Sequence, residues 1–109
     1  MISIVVPVFN EEEVIGEFFK ELSKFLPKID KNPEIIFIDD GSSDNTLDLL
    51  KKLAEKNDII KIFSFRKHRG KAEALTLGFG KAQGEYILTI DADLQDRPDQ
   101  IEKLIEKQK

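Results

Sequence analysis

Cysteine is absent from the 109 residues, so the chain offers no disulfide framework and no thiolate metal site, and its redox compartment stays open. Long apolar runs are absent as well. None approaches the ~20 consecutive residues of a membrane-spanning helix, and the strand-like run after Met1 lacks the basic and apolar zones of a signal peptide. A cytoplasmic location is the expectation. Positive charge is not in excess: 17 Lys and Arg face 21 Asp and Glu, a net charge of -4. That balance argues against general nucleic-acid binding, which needs a cationic field. Only Phe65 to Lys71, FRKHRGK, is locally basic, and it carries the single histidine, His68. Repeats, linkers and low-complexity tracts are missing. The length suffices for one core but not two, so residues 1–109 are read as a single domain.

What is present is a globular composition, 40% apolar and 35% charged, in which short β-branched runs alternate with stretches of helical spacing. Strands are expected at Ile2 to Val8, Glu34 to Asp39, Ile60 to Phe65 and Tyr86 to Ile90. The first is nearly continuous in apolar residues, as a central strand covered on both faces should be. Between them, Val14, Ile15, Phe18, Phe19, Leu22 and Leu26 predict a helix ending near Pro27, and Leu47, Leu50, Leu53 and Ala54 a second, with Ser42, Ser43 and Asp44 as candidate caps. Ala72, Leu75, Phe79 and Ala82 predict a third helix, and Ile101, Leu104 and Ile105 a last one from Pro98. The fold class is therefore α/β, β-α-β-α-β-α-β-α, an open parallel sheet with helices on both faces. Right-handed crossovers give the strand order 3-2-1-4, with the fourth strand at an edge.

In such sheets ligands bind beyond the carboxyl ends of the strands, and there the polar clusters lie. Asp91 and Asp93 stand at alternate positions of an extended segment, so both can face one cation. An oxygen-only pair suits Mg2+ or Mn2+ with water and diphosphate oxygens completing the shell. Each feature also has an ordinary explanation: a D-x-D pair as a solvated turn, Asp39-Asp40-Gly41 as a strand end, Ser42 and Ser43 as caps rather than nucleophiles, His68 as a solvated side chain. Gly78-Phe79-Gly80 with Gly84 follows a helix rather than a strand, which excludes a dinucleotide loop, and no G-x-x-x-x-G-K-[ST] is present.

The ordered set SIVVPVFNEEEVI, IIFIDDGSSDNT, RGKAEALTLGFGKAQG and GEYILTIDADLQDRPD resembles the nucleotide-sugar half of family 2 glycosyltransferases of the GT-A fold, closest to polyprenyl-phosphate hexosyltransferases such as dolichol-phosphate mannose synthase. The resemblance implies inverting, metal-dependent transfer of a hexose from a GDP- or UDP-sugar to an acceptor such as a polyprenyl phosphate, at the cytoplasmic face of a membrane in the full-length protein. It implies that Pro7, Asn10 and Glu11 line the nucleotide pocket. Asp39, with Asp40 behind it, would address the base, and Arg66 or Lys71 would lie near the nucleotide. Asp91 and Asp93, flanking Ala92, would hold the metal with help from Gln95. Phe9 stands where the family often has Tyr, and Arg97 where the polyprenyl-phosphate members often have Pro. A complete domain of this kind continues well past the D-x-D segment, so the chain is expected to be a piece of a larger catalytic domain. Such a piece should bind donor weakly, transfer no sugar alone and self-associate through its edge strand, as a symmetric dimer. No catalytic base or acceptor site is identifiable. The competing classes are a phosphoacceptor signalling domain, whose acidic pair should follow the first strand rather than the second, and a binding-only nucleotide-sugar module.

Overall fold

The computed structural model describes residues 1–29 and 31–92. Four parallel strands, β1 (Ile2–Val8), β2 (Glu34–Asp39), β3 (Ile60–Ser64) and β4 (Tyr86–Thr89), lie in the order β3-β2-β1-β4. The expected order is thus the observed one. Three helices connect them: α1 (Ile15–Ile29), α2 (Thr46–Lys56) and α3 (Lys71–Lys81). The strand boundaries differ from expectation by a residue, β3 ending at Ser64 and β4 at Thr89. Helix α1 runs two residues beyond Pro27. A proline in the last turn removes a single backbone hydrogen bond there, too little to stop the helix.

Alternation along β1 explains how both faces are covered. Ile2, Ile4, Val6 and Val8 pack with Ile35 and Phe37 of β2 against Ile15, Phe18 and Leu22 of α1 and Leu50 of α2. Val5 faces the other way and joins Ile36, Ile38 and Ala74 of α3 in a second, smaller cluster. Helix α3 approaches β1 closely: a Cβ at Gly78 would lie 2.3 Å from Val5 Cγ1. That glycine serves packing.

The first two crossovers move the chain from β1 toward β3 on one face, and the third returns it across β1 to β4 on the other. The strand order therefore reverses between β1 and β4, and a crevice opens beyond their carboxyl ends. β4 is an edge strand, with Tyr86 69% exposed. Among the described residues no helix is long and apolar enough to cross a membrane.

Candidate functional site

A cleft of about 220 Å³ lies at that reversal. Pro7, Val8, Phe9 and Glu11 line it from the end of β1, Asp91 and Ala92 from the end of β4, Asp40 from β2, and His68 and Lys71 from the segment entering α3. Its volume is below the ~300–1,000 Å³ usual for a site that encloses a small-molecule ligand.

The neighbouring loops are bound to each other before any ligand is considered. Asn10 adopts a positive φ of 51°, and its N–H donates to Ser42 Oγ (2.9 Å) while its Oδ1 accepts from the Ser43 N–H (2.8 Å). The Glu11 N–H donates to Thr46 Oγ1 (2.8 Å). Asp44 accepts from the Thr46 N–H (2.9 Å) and from the Glu12 N–H (3.3 Å). Burial alone would raise the Asp44 carboxyl, but the bonds from the Thr46 hydroxyl and these N–H groups hold it below its ordinary value. Thus Asp44 satisfies the start of α2, whereas Ser42, one of the expected caps, accepts from the β1 loop and Ser43 donates to it. Asn10 is not among the residues lining the cleft; its amide oxygen is engaged by Ser43.

Asp39 and Asp40 have separate tasks, and alternation is the cause, since adjacent residues of a strand project to opposite faces. Asp40, 3% exposed, projects toward the α3 side. It accepts from the Arg69 N–H (2.7 Å) and the Gly70 N–H (3.0 Å), and His68 Nδ1 lies 2.9 Å from its Oδ2. This carboxylate anchors the loop leading into α3. Asp39, 2% exposed, pairs in register with Ser64 of β3. Its Oδ2 accepts from Ser64 Oγ (3.1 Å), and its Oδ1 has no hydrogen-bond partner among the described residues.

The basic stretch divides between cleft and surface. Arg66 is exposed and outside the lining, and Arg69 stacks over the Phe65 ring (5.0 Å). His68, read as a solvated side chain, is exposed (57%), and it also places Nδ1 2.9 Å from Asp40 Oδ2 and its ring 4.3 Å from that of Phe9. Lys71, the first residue of α3, places Nζ 2.7 Å from Asp91 Oδ1 and 2.8 Å from Oδ2. The sequence gives little sign of either contact, because each joins residues from different strand ends.

Asp91 therefore presents a carboxylate to the cleft, while Asp93 and Gln95 lie outside the described residues. No group of three His, Cys, Asp or Glu that could hold a metal occurs among the described residues. The donor chemistry nonetheless fits Mg2+ or Mn2+, which bind through one or two carboxylates and complete the shell with water and phosphate oxygens.

Comparison with known proteins bears out the resemblance. The family model Glycosyl transferase family 2 matches residues 3–109. An uncharacterized glycosyltransferase of Bacillus subtilis, YkcC, is 42% identical over 107 residues, covering 98% of this chain and 33% of the relative. A bactoprenol glucosyl transferase of Shigella phage SfV is 43% identical over 106 residues, covering 97% of this chain and 34% of the relative. The solved structure of the mannosyltransferase PcManGT from Pyrobaculum calidifontis, in complex with GDP-Man and Mn2+, matches with a TM-score of 0.76 at 30% identity, over 84% of this chain and 27% of that one. The chain spans about one third of the length of the curated relatives it matches. Its α/β sheet is that of the GT-A glycosyltransferases, and the chain belongs to glycosyl transferase family 2.

Proposed function

We propose that this chain is the donor-binding part of a metal-dependent glycosyltransferase that moves a hexose from a nucleoside-diphosphate sugar to a lipid-linked phosphate, with inversion at the anomeric carbon. The observation that carries the reading is the meeting of Asp91, Lys71 and the start of α3 in the crevice where the strand order reverses. A helix N-terminus and an ammonium favour the diphosphate, and a carboxylate beside them favours the cation that accompanies it. The relatives support the substrate class: one is named a bactoprenol glucosyl transferase, and a structural neighbour holds GDP-Man and Mn2+.

In this reading Asp91, joined by Asp93 and Gln95, holds Mg2+ or Mn2+. The metal supplies Lewis-acid stabilisation of the charge that builds on the leaving diphosphate. Lys71 adds a second cation to the same anion, and Pro7, Phe9 and Glu11 form the floor and wall of the pocket. Asp39 lies outside the lining of the cleft, and in this reading a ring N–H of the base reaches its Oδ1 from beside the cleft, giving a partner to a buried carboxylate oxygen that has none among the described residues. An acceptor phosphate is already an anion at neutral pH, so transfer to it needs little general-base help. No feature favours the phosphoacceptor alternative, because the acidic pair follows β2 and not β1.

Calorimetric titration of UDP and GDP, with Mn2+ and with EDTA, tests the proposal. One of the two should bind with Mn2+ and lose at least tenfold in EDTA or in Asp91→Ala. Equal affinity in EDTA would sink the metal assignment. Asp39→Asn should weaken the same nucleotide by about 1–3 kcal/mol, the scale of one mismatched buried hydrogen bond, with an unchanged unfolding midpoint. Silence at Asp39 would remove it from the base site.

A further inference from the structure

We propose that Lys71 is a resident counter-cation for the metal-binding carboxylate: it occupies Asp91 while the cleft is empty and releases it when a nucleoside diphosphate enters. Metal and nucleotide then bind as a coupled pair. The inference rests on the metal reading above and adds a role for Lys71 that simple proximity to the nucleotide does not contain.

The geometry is that of substitution. Lys71 Nζ is nearly equidistant from the two Asp91 oxygens, 2.7 and 2.8 Å. That is the position from which one cation engages both. A dication seated on the same carboxylate would meet an ammonium at contact distance, so the two compete.

The pair is also built to exchange. Both side chains are well exposed, 59% and 43%, and ion pairs of that kind contribute little to stability. Lysine's long stem and point charge let it move without disturbing the helix that carries it. At the first position of α3, moreover, its charge runs against the helix dipole, which favours an anion and disfavours a cation there. Lys71 therefore gains from any anion that reaches it. Asp91 is that anion in the empty cleft, and the diphosphate is a stronger one because it carries more charge. Transfer of Lys71 from carboxylate to diphosphate frees Asp91 for the metal. By reciprocity the metal, once seated, drives Lys71 toward the nucleotide.

Mn2+ alone, followed by calorimetry and by the electron paramagnetic resonance of the free ion, should be titrated into the chain and into Lys71→Met and Lys71→Arg. Lys71→Met is expected to bind Mn2+ roughly tenfold more tightly than the parent, and, at saturating Mn2+, the preferred nucleotide of UDP and GDP roughly tenfold more weakly. Lys71→Arg keeps the charge and should follow the parent in Mn2+ affinity. A lysine that merely braced the site would weaken both ligands together. Unchanged or weaker Mn2+ binding in Lys71→Met overturns the proposal, and if nucleotide binding still requires Mn2+ the metal reading survives that result. Absence of Mn2+ binding by all three proteins, with nucleotide bound in EDTA, overturns both.

Discussion

Gly41→Ala should destabilise the fold by about 3 kcal/mol or more, summing left-handed backbone strain with a clash against backbone that cannot step aside. Gly41 has φ 73°, and a Cβ there would lie 2.5 Å from both His68 N and Lys67 C. The segment it would strike is the one that Asp40 anchors through His68, Arg69 and Gly70. The change therefore acts twice, on stability and on the cleft. Denaturant unfolding should show the midpoint shift with little change in slope. Nucleotide affinity should also fall at temperatures where circular dichroism still reports a folded chain. Gly16→Ala is the matching control. Apart from its chain neighbours and its own helix backbone, nothing lies within 4 Å of its would-be Cβ, and it sits exposed in α1, so it should raise stability by up to about 1 kcal/mol. Equal effects at the two glycines would mean that the contact between Gly41 and the 67–68 backbone is not what matters.

The same contact marks where sequence reading stopped. Strand order was legible because it follows from local pattern and handedness: β-branched runs name the strands, helical spacing names the crossovers, and right-handedness sets 3-2-1-4. The sequence put the polar clusters at the carboxyl ends of all four strands, and the structure adds that the cleft lies where the order reverses, between β1 and β4. The division of labour between Asp39 and Asp40 was not read, although alternation contains it. With Phe37 packed on the α1 side and Ile38 on the α3 side, Asp40 falls on the α3 side and its neighbour does not. His68 and Lys71 were harder. Their partners, Asp40 and Asp91, are 28 and 20 residues away, and no local periodicity links a loop to the ends of two other strands. Asn10 is different: its motif is visible in the sequence, and the structure adds that its side chain joins two loops beside the cleft.

At the far end of the sheet from the cleft, Glu34→Ala should cost about 3 kcal/mol, because it takes away the acceptor of the Ser3 hydroxyl and the Gln83 N–H. Glu34 is 3% exposed at the start of β2. Its Oε1 accepts from Lys61 Nζ (2.7 Å), and its Oε2 accepts from the Gln83 N–H (2.6 Å) and from the Ser3 hydroxyl. Ser3 Oγ in turn accepts from the Gly84 N–H (2.8 Å). One carboxylate thus ties β1, β2 and β3 to the turn that starts β4, the strand whose other end carries Asp91. Lys61 is partly exposed and can return to water, so the loss comes chiefly from Ser3 and the Gln83 N–H. Burial pushes the Glu34 carboxyl up, but Lys61, Ser3 and Gln83 together outweigh it and leave its pKa below the ordinary 4.5. A lowered folded-state pKa means that the carboxylate's contribution is complete above that ordinary value and is lost as pH falls through the lower one. Glu34→Gln removes the titration while keeping the shape. Urea midpoints measured from pH 7 down to pH 3 should then show the parent's advantage over Glu34→Gln shrinking below about pH 4.5. A gap that stays constant across that range would show that the ionisation of Glu34 is not what stabilises the fold. A gap that closes would identify this buried carboxylate as one source of the fold's acid sensitivity.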